Sequence, residues 1–114
     1  ATDLAEQGAT ASPADLVLKR ARMAQAAGFD GIVASGEEAA AVCQVVGPKF
    51  LIVTPGIRLA GDAAGDQARV TTPAQAIARG ASHLVVGRSI TAAKDPRAAA
   101  LRVVAEIASA LPVA

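Results

Sequence analysis

Three short apolar runs, residues 29–35, 50–55 and 83–87, are separated by segments that open with helix caps, and nothing between them resembles a hairpin turn. Strands alternating with helices in this way lie parallel and are joined by right-handed crossovers, which restricts the chain to a layered α/β fold. Ser12-Pro13-Ala14-Asp15 sets a hydroxyl at an N-cap, proline at N1 and a carboxylate at N3. That predicts a helix, ended by Gly28, whose apolar positions are Leu16, Val17, Met23, Ala24 and Ala27. Ser35-Gly36-Glu37-Glu38 repeats the capping logic for a second helix, which Gly47-Pro48 closes. Thr72-Pro73-Ala74-Gln75 opens a third, running to about Arg79, and Asp95-Pro96 opens a fourth that Pro112 stops. Residues 58–71 carry no periodicity and read as a long loop, which in a compact unit is usually functional or disordered.

Three parallel strands cannot bury both faces of a sheet, and the first helix lacks the strand that would normally precede it. The 114 residues therefore read as the C-terminal portion of a (β/α)8 TIM barrel, with about three parallel strands alternating with four helices. Such a barrel takes about 250 residues. The expectation is one segment, residues 1–114, with no internal domain boundary and with the N-terminal strands absent.

Composition narrows the function. The hydrophobic fraction is 53%, yet only 2% of residues are aromatic, so alanine supplies much of the core and no platform exists for stacking bases. Eleven basic and ten acidic residues, without a block of like charge, argue against a nucleic-acid or membrane-surface role. Cys43 is the lone cysteine and cannot form an internal disulfide, and no Cys/His cluster has metal-ligand spacing. The cytoplasm is the default compartment. No apolar stretch approaches the roughly 20 residues of a membrane span, and the N-terminus lacks the basic start of a signal peptide.

Two of the strands end alike, in Leu51-Ile52-Val53-Thr54-Pro55-Gly56-Ile57-Arg58 and in His83-Leu84-Val85-Val86-Gly87-Arg88-Ser89-Ile90. Backbone amides freed by glycine, beside a forked guanidinium, suit a phosphate monoester. For either segment alone, a tight turn with a solvated arginine is the simpler reading. Their recurrence at successive strand ends favours phosphate binding, because the loops after the last two strands of such barrels often hold phosphate.

These residues carry a family resemblance. Val53-Thr54-Pro55-Gly56-Ile57-Arg58, Gly65-Asp66-Gln67-Ala68-Arg69-Val70, Thr72-Pro73-Ala74-Gln75-Ala76 and Val85-Val86-Gly87-Arg88-Ser89-Ile90-Thr91 resemble, in order and spacing, the C-terminal part of the orotidine 5′-phosphate decarboxylase family. The resemblance covers nearly the whole chain. It implies a carboxy-lyase that converts orotidine 5′-monophosphate to UMP in pyrimidine biosynthesis without a cofactor. Arg88 with the Gly87 amide would hold the 5′-phosphate, Pro55 would line the pocket beside the pyrimidine, and Gln67 would bridge phosphate and base from a closing loop. Gly56 and Ile57 would shape the turn. Arg58 is a further candidate, with pairing to Asp62 or Asp66 as its alternative. Ser89 and Leu59 stand where the family usually has proline; Ser89 adds a hydroxyl able to reach phosphate, and Leu59 frees the start of the loop.

The resemblance also shows what to look for and not find. The family's catalytic lysine and aspartates come in an Asp-x-Lys-x-x-Asp pattern, which does not occur here. The lysine would protonate the vinyl carbanion left by loss of carbon dioxide, and the aspartates would orient it. Lys19, Lys49 and Lys94 read as solvated charges, His83 as a structural residue at the far end of its strand, Cys43 as a small core residue, and Glu37 and Glu38 as helix-start carboxylates. No catalytic residue and no metal ligand is assigned in this chain, which alone is expected to be inert. The partners implied are a nucleotide monophosphate, an N-terminal half-barrel and, in the complete protein, a second copy. The alternatives are a non-catalytic nucleotide-binding half-barrel module and a related phosphate-sugar decarboxylase or synthase, against which Gln67 argues.

Overall fold

Helix starts are set by side chains that satisfy the first unpaired amides. Ser12 Oγ accepts from the Asp15 amide at 3.2 Å, Thr72 Oγ1 from that of Gln75 at 3.2 Å, and Asp95 Oδ1 from that of Ala98 at 3.1 Å. At Thr72 the box is reciprocal, with Gln75 Oε1 accepting the Thr72 amide at 3.1 Å. The computed structural model describes residues 12–59 and 70–111. Within them run α1 (Pro13–Ala26), β1 (Gly31–Val33), α2 (Ala39–Val46), β2 (Leu51–Ile57), α3 (Pro73–Ala78), β3 (His83–Val86), α4 (Arg88–Thr91) and α5 (Pro96–Ala110). The strands form one sheet in the order β1-β2-β3, parallel throughout.

Several boundaries differ from the sequence reading, each for a local reason. The run at 29–35 yields only Gly31–Val33 as strand, because Phe29 belongs to the end of α1. Its amide donates to Ala24 O at 3.0 Å while the Gly28 amide donates to Gln25 O at 3.1 Å, a closure that needs the φ of +92° at Gly28. Phe29 is left 66% exposed. The Ser35–Glu38 stretch forms a turn in which the Glu38 and Ala39 amides donate to Ser35 O, so α2 begins at Ala39. In α1 the buried stripe is Val17, Leu18, Ala21 and Ala24, whereas Met23 is 60% exposed. The strand expected at 50–55 continues to Ile57 through a bulge at Pro55-Gly56. Proline brings no amide to the ladder, and Gly56 takes a φ of +73°, so one extra residue is absorbed before Ile57 pairs with Val86. The strand expected at 83–87 stops at Val86, and Gly87 instead caps α4, a fifth helix of one turn.

The helices cover one face of the sheet. Ile32 and Ile52 pack with Ala21, Ala39, Val42, Val46 and Phe50. Beside them Ile57, Leu84 and Val86 pack with Ala76 and Ala81, and Leu59, expected to free the start of the loop, instead anchors it by closing onto Ala99 and Val103 of α5. Thr54 lies on this buried face, and its hydroxyl finds no hydrogen-bond partner among the described residues. The opposite face carries Val33, Leu51 and Val85, which remain 69%, 41% and 52% exposed. The molecule is accordingly a slab 18 Å thick, one sheet plus one helix layer. Its radius of gyration of 15.6 Å exceeds the roughly 13 Å of a closed domain of this length.

Candidate functional site

Parallel strands bring their C-terminal ends to one edge, and here that edge gathers the two arginine-bearing turns. Gly56, Ile57 and Arg58 from the end of β2 face Val85, Gly87, Arg88 and Ser89 from the end of β3 and the start of α4, around an open cleft of about 280 Å³. The pairing of Ile57 with Val86 sets the two turns side by side.

The cleft carries two arginines and has room. Among the described residues, a side chain on Gly56 or Gly87 would meet no atom within 4 Å beyond its chain neighbours, so the missing Cβ atoms leave open space on both walls. Arg88 is exposed at the rim and Arg58 half-buried. A helix of four residues adds little macrodipole, so attraction for an anion rests on the guanidinium groups and on backbone amides at the Gly87-Arg88 turn. Such a pair of cations on a glycine-lined concavity matches the dianion of a phosphate monoester, with guanidinium able to bind two oxygens at once.

Of the residues expected at the site, the structure brings Gly56, Arg58, Gly87, Arg88 and Ser89 together. Pro55 is exposed one residue before this lining. Gln67, Asp62 and Asp66 lie outside the described residues, as does most of the expected 58–71 loop. The two ends of that loop are described, and they are joined. The Arg58 amide donates to Thr71 O at 3.0 Å, and Ile57 forms a parallel bridge with Thr71. Ser89 is only 8% exposed, and its Oγ accepts the Leu59 amide at 3.2 Å, so the hydroxyl is engaged within the fold although the residue lines the cleft. Val85, and Ile57 which was expected only to shape the turn, also line the cleft; the place of Val85 was open to reading from the sequence. Strand alternation could have found it, since residues 85 and 87 share a face.

The other polar candidates lie elsewhere. His83 opens β3 at the opposite end of the strand, with Nδ1 3.1 Å from Ser82 Oγ. Cys43 packs half-buried against the core of α1 and α2. Among the described residues no group of His, Cys, Asp or Glu could hold a metal ion, and no helix is long and apolar enough to cross a membrane.

The chain is similar to known proteins over nearly all of its length. The family described as "Orotidine 5'-phosphate decarboxylase / HUMPS family" matches residues 1–103. The orotidine 5′-phosphate decarboxylase of Methylobacterium sp. (strain 4-46) is 62% identical over 108 residues, covering 95% of this chain and 46% of that protein. The enzyme of the same name from Afipia carboxidovorans is 60% identical over the same shares. The crystal structure of orotidine 5′-phosphate decarboxylase from Lactobacillus acidophilus superposes with a TM-score of 0.77 at 38% identity, covering 94% of this chain and 44% of that one. The chain thus spans about half the length of the curated relatives it matches.

Proposed function

The chain belongs to the orotidine 5′-phosphate decarboxylase / HUMPS family, and from that membership we propose that its strand-end cleft binds the phosphate of orotidine 5′-monophosphate in a protein that decarboxylates this nucleotide to UMP. The observation that carries the reading is the convergence of Gly56-Ile57-Arg58 and Gly87-Arg88, with their two arginines, on one open cleft. Arg88 and the Gly87 amide hold the phosphate, and Arg58 adds a second positive charge. Pro55 borders the base, and the family resemblance assigns Gln67 the bridging of phosphate and base.

Phosphate lies far from the carbon that loses carbon dioxide. Its binding energy therefore serves to orient the pyrimidine and exclude water rather than to touch the breaking bond. These residues bind and orient; the lysine that protonates the carbanion is not among them. A cytoplasmic setting accompanies this reading, to which the lone Cys43 is suited, as does a homodimer of the complete protein. The family description also names HUMPS, but Gln67, with a nucleotide base to meet, favours the decarboxylase.

The full-length protein is expected to convert orotidine 5′-monophosphate to UMP with release of carbon dioxide, and these 114 residues alone to leave it unchanged. Failure of the full-length protein to form UMP contradicts the assigned reaction. Turnover by the 114 residues alone contradicts the division of labour.

A further inference from the structure

The ladder between β2 and β3 is weakened by the bulge at Pro55-Gly56, and its last pair is Ile57 with Val86. Beyond that pair the two backbones run on into the cleft walls, one through Arg58 and the other through Gly87-Arg88. A side chain links them there. The Leu59 amide donates to Ser89 Oγ at 3.2 Å across 30 residues of sequence, in a buried setting. Leu59 is 2% exposed, and its side chain is seated among Val86, Ile90, Ala99 and Val103. On the other side the Arg58 amide is held by Thr71 O at 3.0 Å. Arg58 is thus fixed before and after, and the group that fixes it after is the neighbour of Arg88.

We propose that Ser89, by accepting the Leu59 amide just past the end of the β2–β3 ladder, is a positioning residue that sets the spacing of Arg58 and Arg88 for a phosphate monoester. The inference rests on the phosphate-binding reading above. Charge-assisted hydrogen bonds to phosphate oxygens are directional, so a small drift of one wall relative to the other weakens several at once. Removing the hydroxyl leaves the buried Leu59 amide without this acceptor, and the strand end shifts to recover one. A ligand without phosphate does not use the cleft and is insensitive to its width.

The test compares UMP with uridine on the full-length protein. Wild type is expected to bind UMP far more tightly than uridine. Ser89→Ala is expected to weaken UMP about tenfold, a change of about 1.4 kcal/mol, with uridine within about twofold of wild type. Ser89→Thr, which keeps the oxygen, is expected to restore most of the loss. Should Ser89→Ala fail to fold, Ser89→Cys takes its place, being close in size and a weak acceptor, with the same selective loss expected. Equal weakening of both ligands, or no change in UMP, overturns the positioning role. A wild type that binds UMP no better than uridine overturns instead the phosphate-binding reading beneath it.

Discussion

Replacing Arg88 with alanine is expected to abolish the rise in melting temperature that a nucleoside monophosphate gives the unmodified protein. Arg88 is exposed at the rim of the cleft, so its loss should change the stability of the unliganded protein by no more than about 0.5 kcal/mol. Its contribution to the complex is much larger. Each hydrogen bond to a charged group contributes roughly 1.5–3 kcal/mol, and a bidentate guanidinium makes two. A ligand present at a hundred times its dissociation constant stabilises the folded state by about 2.7 kcal/mol. Weakening the complex by more than that leaves less than about 0.4 kcal/mol of stabilisation at the same ligand concentration, a shift close to zero. An unchanged shift in Arg88→Ala, measured by thermal denaturation with and without UMP, refutes the role assigned to Arg88.

Ile52→Ala is expected to produce the largest loss of stability of any single truncation in the sheet, about 2–5 kcal/mol. Ile52 is wholly buried on the central strand, pairs with Ile32 of β1, and packs against the helix layer of α1 and α2. This core is built largely from alanine and valine, which offer little side chain able to move into the cavity. The loss is a large part of the 5–15 kcal/mol by which ordinary domains are stable. Urea titration is the suitable readout: the midpoint falls sharply while the slope stays near that of wild type. Ile52→Val, as a control, should cost about 0.5–1.5 kcal/mol. A loss below about 0.5 kcal/mol for Ile52→Ala would show that this position is not the packed centre of the sheet.

The features that the sequence made legible are those written in local chemistry. The caps at Ser12, Thr72 and Asp95 form as their side chains dictate, and the alternation of helix and strand yields a parallel sheet in chain order. The two glycine-arginine ends meet because successive parallel strands must share an edge. What escaped was decided by packing or by structure shorter than a period. Alanine occupies both the buried and the exposed faces of α1, so hydrophobicity alone could not choose Ala21 over Met23. Phe29 was claimed by the closure of α1, and α4 is a single turn, too short to show periodicity. The bulge at Pro55-Gly56 reads in sequence as a strand end, since proline and glycine interrupt a ladder; resumed pairing at Ile57 depends on Val86 and Thr71, far along the chain. Ser89 read as a possible phosphate contact, and its bond to the Leu59 amide emerges only once the two strand ends are adjacent.

The exposed apolar face of the sheet agrees with the share of its relatives that the chain spans. Val33, Leu51 and Val85 lie next to Ile32, Ile52, Leu84 and Val86, which pack against the helix layer, as expected where a second surface covers the other face, and the superposition on the Lactobacillus enzyme covers 44% of that chain. The three strands and their helices are thus the matching portion of a TIM-barrel fold, with the cleft at the strand ends where such barrels hold their ligands.

A crystal structure of the full-length protein with UMP decides whether the cleft between the two arginine-tipped strand ends holds the phosphate of a nucleotide. Phosphate oxygens are expected within about 3 Å of the Arg88 guanidinium and of an amide at the Gly87-Arg88 turn, with Arg58 on the opposite wall. UMP bound with its phosphate anywhere outside the walls formed by Gly56-Ile57-Arg58 and Gly87-Arg88-Ser89 would contradict that placement.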